Sequence, residues 1–183
     1  MPNMLDSFLG LPLHPLVVHG LVVIGPLTAA TAIVYAVRRR WRRALRWPLL
    51  VALVATGVLA IVVRQSGEAL RDRLYPMLSS GGAPVQGSEP VWLHSQLGST
   101  AGIIGLVWAV IAIVLVWWFV RPPGARGWRG RIDVRDEDAR GKTPLTVTDV
   151  VWAGVLAAAS IAALVWMLVA AHSGASATWG NLL

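Results

Sequence analysis

Pro15-Leu16-Val17-Val18-His19-Gly20-Leu21-Val22-Val23-Ile24-Gly25-Pro26-Leu27-Thr28-Ala29-Ala30-Thr31-Ala32-Ile33-Val34-Tyr35-Ala36-Val37 carries no formal charge from end to end and stops against Arg38-Arg39-Arg40. At about 1.5 Å per residue, a helix of this length crosses a hydrocarbon core of about 30 Å, so the stretch predicts a transmembrane helix. A proline at its first position and Gly25-Pro26 inside it predict a helix start and a kink. Three further apolar runs follow. Pro48 opens one that is apolar to Val63 and continues to Tyr75 with Leu70 and Leu74 at helical spacing; Pro90 to Val120 and Thr146 to His172 are the others.

The fold class is therefore all-α: an integral membrane four-helix bundle running up-down-up-down, with residues 1–183 as a single membrane domain. The expected helices cover about 15–37, 48–75, 90–120 and 146–172, joined by cytoplasmic loops 38–47 and 121–145 and an outer loop 76–89. Of 16 Lys and Arg, only Arg64, Arg71 and Arg73 lie outside the stretches 38–46 and 121–142, and this bias places both chain ends outside. No cleavable signal peptide is expected, because the first ten residues lack a basic region. The predicted location is the bacterial cytoplasmic (inner) membrane, multi-pass. Trp41, Trp47, Trp117, Trp118 and Trp128 near one boundary, and Trp92 and Trp179 near the other, read as interfacial anchors.

A composition of 56% hydrophobic and 14% charged residues belongs to a membrane protein. The net charge of +7 flanks apolar segments, which argues against nucleic acid as a partner and for the lipid bilayer. The absence of cysteine excludes disulfides, iron–sulfur clusters, thiolate zinc and covalently attached haem.

All four histidines fall on the predicted outer side: His14 and His19 at the first helix, His94 at the start of the third, His172 at the end of the fourth. An imidazole at a bilayer edge needs an acceptor, a metal or a haem iron to offset its desolvation. Pro15 precedes His19 by four residues and Pro90 precedes His94 by four, a weak internal echo of two related hairpins. It predicts His19 and His94 facing one another across the bundle, as a bis-histidine b-type haem requires. A helix ruler sets His14, His94 and His172 level and His19 deeper by about one turn, which keeps all four as candidates. His14 reads equally as solvated, His172 reads as solvated more than bound, and His19 and His94 read also as hydrogen-bonded structural residues. Gly98 and Gly102 would leave room for a planar ring, although such a pair more often packs helices. Arg64 reads as a snorkelling anchor, a partner of Glu68, or a group receiving a haem propionate.

His14-Pro15-Leu16-Val17-Val18-His19, then Ser66-Gly67-Glu68-Ala69-Leu70, then His94-Ser95-Gln96-Leu97-Gly98 resemble the bacterial membrane family labelled domain of unknown function 2231. The resemblance covers about Leu11 to His172, and departs from the family pattern where Gly20-Leu21-Val22 follows the second histidine. It implies four spanning helices, matches His14, His19 and His94 to the family's histidines, and implies electron transfer at the outer face.

The leading function is a membrane redox subunit that binds haem b through these histidines and passes electrons between a quinol pool and a partner protein, with quinone a possible ligand. One alternative is a copper or zinc protein ligated by His14, His19, His94 and His172, since three imidazoles make such a shell. The other is a non-catalytic structural subunit of a larger membrane complex. An accessory or electron-transfer subunit is favoured over a stand-alone enzyme, because no hydrolase order, phosphate loop or His-Glu-x-x-His run is present.

Overall fold

Four long helices dominate the computed structural model, which describes residues 7–8, 11–80, 83–84, 89–122, 125–126, 131–132 and 146–179. Helix α1 is Leu13–Val37 and runs through Pro26. After a 3-10 turn at Arg39–Trp41, helix α2 spans Arg42–Leu78. Helix α3 is Glu89–Val114 and continues into a wide π-helical turn, Leu115–Phe119. Helix α4 is Val147–Trp179. Three two-residue antiparallel pairings (Ser7–Phe8 with Leu11–Pro12, Ser79–Ser80 with Ala83–Pro84, Ala125–Arg126 with Arg131–Ile132) mark segments that precede or join the helices. Every helix is long and apolar enough to cross a membrane. Most of the expected loop 121–145, Trp128 included, lies outside the described residues.

Several boundaries differ from the sequence reading, and α4 runs to Trp179 where 172 was expected. His14, expected ahead of the first helix, sits in its first turn. Helix α2 begins at Arg42 rather than Pro48, so half of the arginines of 38–46 lie in it. The reason is capping. Arg42 donates through Nε to the Tyr35 carbonyl (3.0 Å) and through Nη2 to that of Ala36 (2.7 Å), satisfying the last carbonyls of α1. Arg46 donates to the Trp117 carbonyl at 3.3 Å with its guanidinium 5.0 Å from that indole centroid, doing the same for α3. One turn of α2 thus closes the C-terminal ends of both neighbours.

Helices α1 and α3 each pack on α2 and α4 and so occupy one diagonal of the bundle. The interior is rich in small residues, with Ala29, Ala32, Ala36, Thr28, Thr56 and Ser160 buried beside the larger Tyr35, Leu49, Leu53, Trp108 and Leu156, while Val23, Leu27, Val51, Val107 and Leu168 face outward. That inversion of a water-soluble pattern suits lipid outside and close helix packing within.

The two hairpins repeat one another in register. His14 and His94 stand 80 residues apart (94 less 14), and the same step carries buried Gly25, Thr28, Ala29, Ala32, Tyr35 and Ala36 of α1 onto buried Gly105, Trp108, Ala109, Ala112, Leu115 and Val116. Ser66 and Ser173 stand 107 apart (173 less 66), which also carries Leu49, Leu53 and Thr56 onto Leu156, Ser160 and Ala163, all buried. A Cβ on Gly25 would meet the Met167 side chain, and one on Gly105 would meet those of Ala60 and Met167. Gly102 is an exception, its counterpart Val22 being exposed.

Candidate functional site

The repeat converges on two imidazoles at the end of the bundle away from Arg42. His14 lies with Nδ1 3.1 Å from the Val63 carbonyl oxygen and 3.2 Å from Ser66 Oγ, on α2. A carbonyl oxygen only accepts, and the Ser66 hydroxyl donates its own hydrogen to Val63 at 3.1 Å. The proton therefore sits on Nδ1 of His14, and Nε2 keeps its lone pair.

His94 repeats the arrangement on α4. Its Nδ1 is 3.1 Å from Ser173 Oγ, whose hydrogen goes to the Ala170 carbonyl at 2.7 Å, so the bond must run from the imidazole N–H to the hydroxyl oxygen. Each ring also lies against a glycine that follows its serine: a Cβ on Gly67 would come within 2.9 Å of His14 Cε1, and one on Gly174 within 2.9 Å of His94 Cε1. Ser66-Gly67 and Ser173-Gly174 are thus matched cradles, each built by an even-numbered helix for a histidine of the helix before it. Both rings are half-buried.

The remaining candidates fall elsewhere. His19, expected to face His94, is exposed, and its Nδ1 bonds the Pro15 carbonyl of its own helix. His14 stands in its place, because a step of 80 from His94 falls on residue 14. His172 is also exposed and lines a shallow groove of about 320 Å³ with Pro90, Leu93 and Ser176, on the α3–α4 surface. Arg64 pairs with Glu68 at 3.0 Å, both side chains about 40% exposed, and its stem covers Gly102, where a Cβ would meet Arg64 Cβ at 3.1 Å. Gly102 therefore serves helix packing. Gly98, one turn along α3 from His94, has no atom within 4 Å of where a Cβ would stand. No group of three or more His, Cys, Asp or Glu that would hold a metal ion occurs among the described residues.

Sequence reasoning missed the serine-glycine cradles, although both dipeptides were visible and one directly follows His172. It also missed Trp108, buried in mid-bundle with Nε1 donating to Ser160 Oγ at 3.2 Å. Its signal was position: Trp108 lies far from either membrane boundary, where an anchoring indole has no use.

Four spanning helices closing over two imidazoles seated in matched cradles define a membrane bundle with a half-buried histidine pair. The chain belongs to the family described as Predicted membrane protein (DUF2231), whose family model matches residues 10–182. No curated protein and no solved structure matches it.

Proposed function

We propose that this protein is a membrane redox subunit that holds a b-type haem between His14 and His94 and passes electrons between a quinol pool and a partner protein. The observation that carries the reading is the matched state of the two imidazoles. Each has its Nδ1–H tied to a serine, His14 to the Val63 carbonyl as well, and each keeps a bare Nε2, which is the atom an axial ligand presents to iron. The histidines come from diagonal helices, as in bundle-core cofactor sites. The open space at Gly98 supplies room beside His94. Such a group would supply one-electron exchange; the chain's own contribution is to fix two ring orientations and to shield them with helix backbones.

The charge bias between the two ends supports an orientation with the histidines outside and the arginines of α2 in the cytoplasm of a bacterium. The zinc or copper alternative loses support because His172 and His19 are exposed and no group of three or more His, Cys, Asp or Glu gathers among the described residues.

The test is an absorption spectrum of the purified chain after expression with haem supplied. A Soret band lost in His14→Ala and in His94→Ala, and kept in His19→Ala and His172→Ala, is expected. A colourless wild-type protein would overturn the haem reading and leave the structural-subunit role.

A further inference from the structure

At the histidine end of the bundle, the start of α3 and the last turns of α4 leave the groove of about 320 Å³ that His172 lines. We propose that this groove binds the ring of a membrane quinone or quinol, with a ring oxygen hydrogen-bonded to the His172 imidazole and the tail in the lipid. Its use as the electron donor's seat rests on the redox reading above; its binding chemistry does not.

The walls are apolar. Leu93 and Leu97, one turn apart on α3, form them with Pro90 and with Val169 of α4. Leu93 is 54% and Val169 44% exposed, so the groove opens sideways on the lipid-facing surface of the bundle. A ligand with a long hydrocarbon tail can enter it without leaving the bilayer. No Lys, Arg, Asp or Glu is among the described residues that line it, so a phosphate head group finds no counter-charge there.

The polar side chains narrow the choice of ligand. The Ser173 hydroxyl donates to the Ala170 carbonyl at 2.7 Å and accepts from His94, and the Ser176 hydroxyl donates to the His172 carbonyl at 3.1 Å. Both serine hydrogens are thus engaged within the protein. The His172 ring makes no hydrogen bond among the described residues. An imidazole donates from one nitrogen and accepts at the other, so it pairs with a carbonyl oxygen and with a hydroxyl alike. A quinone presents the first when oxidised and the second when reduced, on a ring that is otherwise apolar. An alkyl chain would fill the same walls and leave the imidazole unanswered. Apolar walls with a few placed polar groups are the ordinary make-up of a small-molecule site.

Ser173 ties the groove to the histidine pair. It lines the groove, and its Oγ lies 3.1 Å from His94 Nδ1, so a ring seated there stands one side chain away from the His94 imidazole. The repeat does not copy this feature: the step of 107 carries His172 onto Gln65, and the step of 80 carries Pro90 onto Gly10. At this position the imidazole belongs to the second hairpin alone.

Isothermal titration calorimetry of the detergent-purified full chain, with no haem supplied, tests this with decyl-benzoquinone and with decylbenzene, which has the same tail and a ring without oxygens. Decyl-benzoquinone should bind about fivefold more tightly, the ratio one neutral hydrogen bond supplies. His172→Ala should abolish that preference, and His172→Gln should restore part of it, because an amide donates to the same oxygen. Leu93→Trp, which fills the groove, should weaken both ligands. His19→Ala, on the exposed face of α1, should change nothing. Equal binding of the two ligands, a preference kept in His172→Ala, or an equal loss in His19→Ala would each overturn the proposal, the first by making the groove a lipid-covered furrow. Quinone preference in a protein that never gains a Soret band would sink the haem reading alone, and a Soret band without quinone preference would sink the quinone site alone.

Discussion

Tyr35 donates its phenolic hydroxyl to the carbonyl oxygen of Val120 at 2.6 Å, joining the C-terminal end of α1 to that of α3 across the bundle diagonal. The Val120 carbonyl is available because the π-helical turn ends there, its own amide bonding back to Leu115 at 2.7 Å. Tyr35 has no exposed surface, so its hydroxyl has no water to fall back on.

Tyr35→Phe should therefore destabilise the bundle by about 1 kcal/mol, the net value of a buried hydrogen bond whose acceptor is left unpaired. Thermal unfolding in detergent would show it as a lowered midpoint. An unchanged midpoint would mean that the bond contributes nothing beyond packing.

Arg42→Ala should cost more, about 2 kcal/mol, because a charge-assisted donor pair is removed from two buried carbonyls at once. Arg42→Lys should recover only part of this, since an ammonium lacks the planar fork that reaches the Tyr35 and Ala36 carbonyls together. Equal midpoints for the lysine variant and wild type would show that charge alone matters.

Helix number and approximate extent were legible in the residues because a charge-free run of spanning length has few other folds open to it. The start of α2 was not. Arginine repeats read as loop when only polarity is considered, and the fact that Arg42 and Arg46 reach back to cap α1 and α3 depends on where those helix ends lie in space. The histidine pair was half legible. Counting from Pro15 and Pro90 selected His19, but prolines mark helix entry, whereas the register of the repeat is set by the residues buried against the partner helix. Counting from the buried glycines, Gly25 to Gly105, selects His14.

Gly174→Ala and Gly67→Ala should displace His94 and His14 respectively, because the added methyl would stand 2.9 Å from a ring carbon. Gly20→Ala, with nothing within 4 Å, serves as the matched control and should leave stability within about 0.5 kcal/mol of wild type. On the haem reading, the first two lower the Soret absorbance per protein while far-ultraviolet helicity is retained. Intact absorbance in both would show that the rings are not held by these glycines.

On the haem reading, the Ser66→Ala/Ser173→Ala double variant should weaken haem affinity about tenfold or more, the usual effect of removing the partner that orients a ligating imidazole. The Val63 carbonyl still accepts from His14, so each single variant should lose less than the pair. Titration of haem into the cofactor-free protein measures both. Affinities equal to wild type in the double variant would assign the serines a packing role only.

The two steps of the repeat, 80 from α1 to α3 and 107 from α2 to α4, differ because the connection after α3 is the longer one, and the long stretch lies entirely between Val120 and Thr146. The hairpin is thus the smallest unit that carries the information of the fold: a histidine on its first helix and a cradle on its second. The caps are not duplicated, because Arg42 and Arg46 of the first hairpin close the ends of both α1 and α3. The stretch between α2 and α3 belongs to neither copy, so in a chain of this construction it is the seam, and cutting it would leave two halves each carrying a seated imidazole.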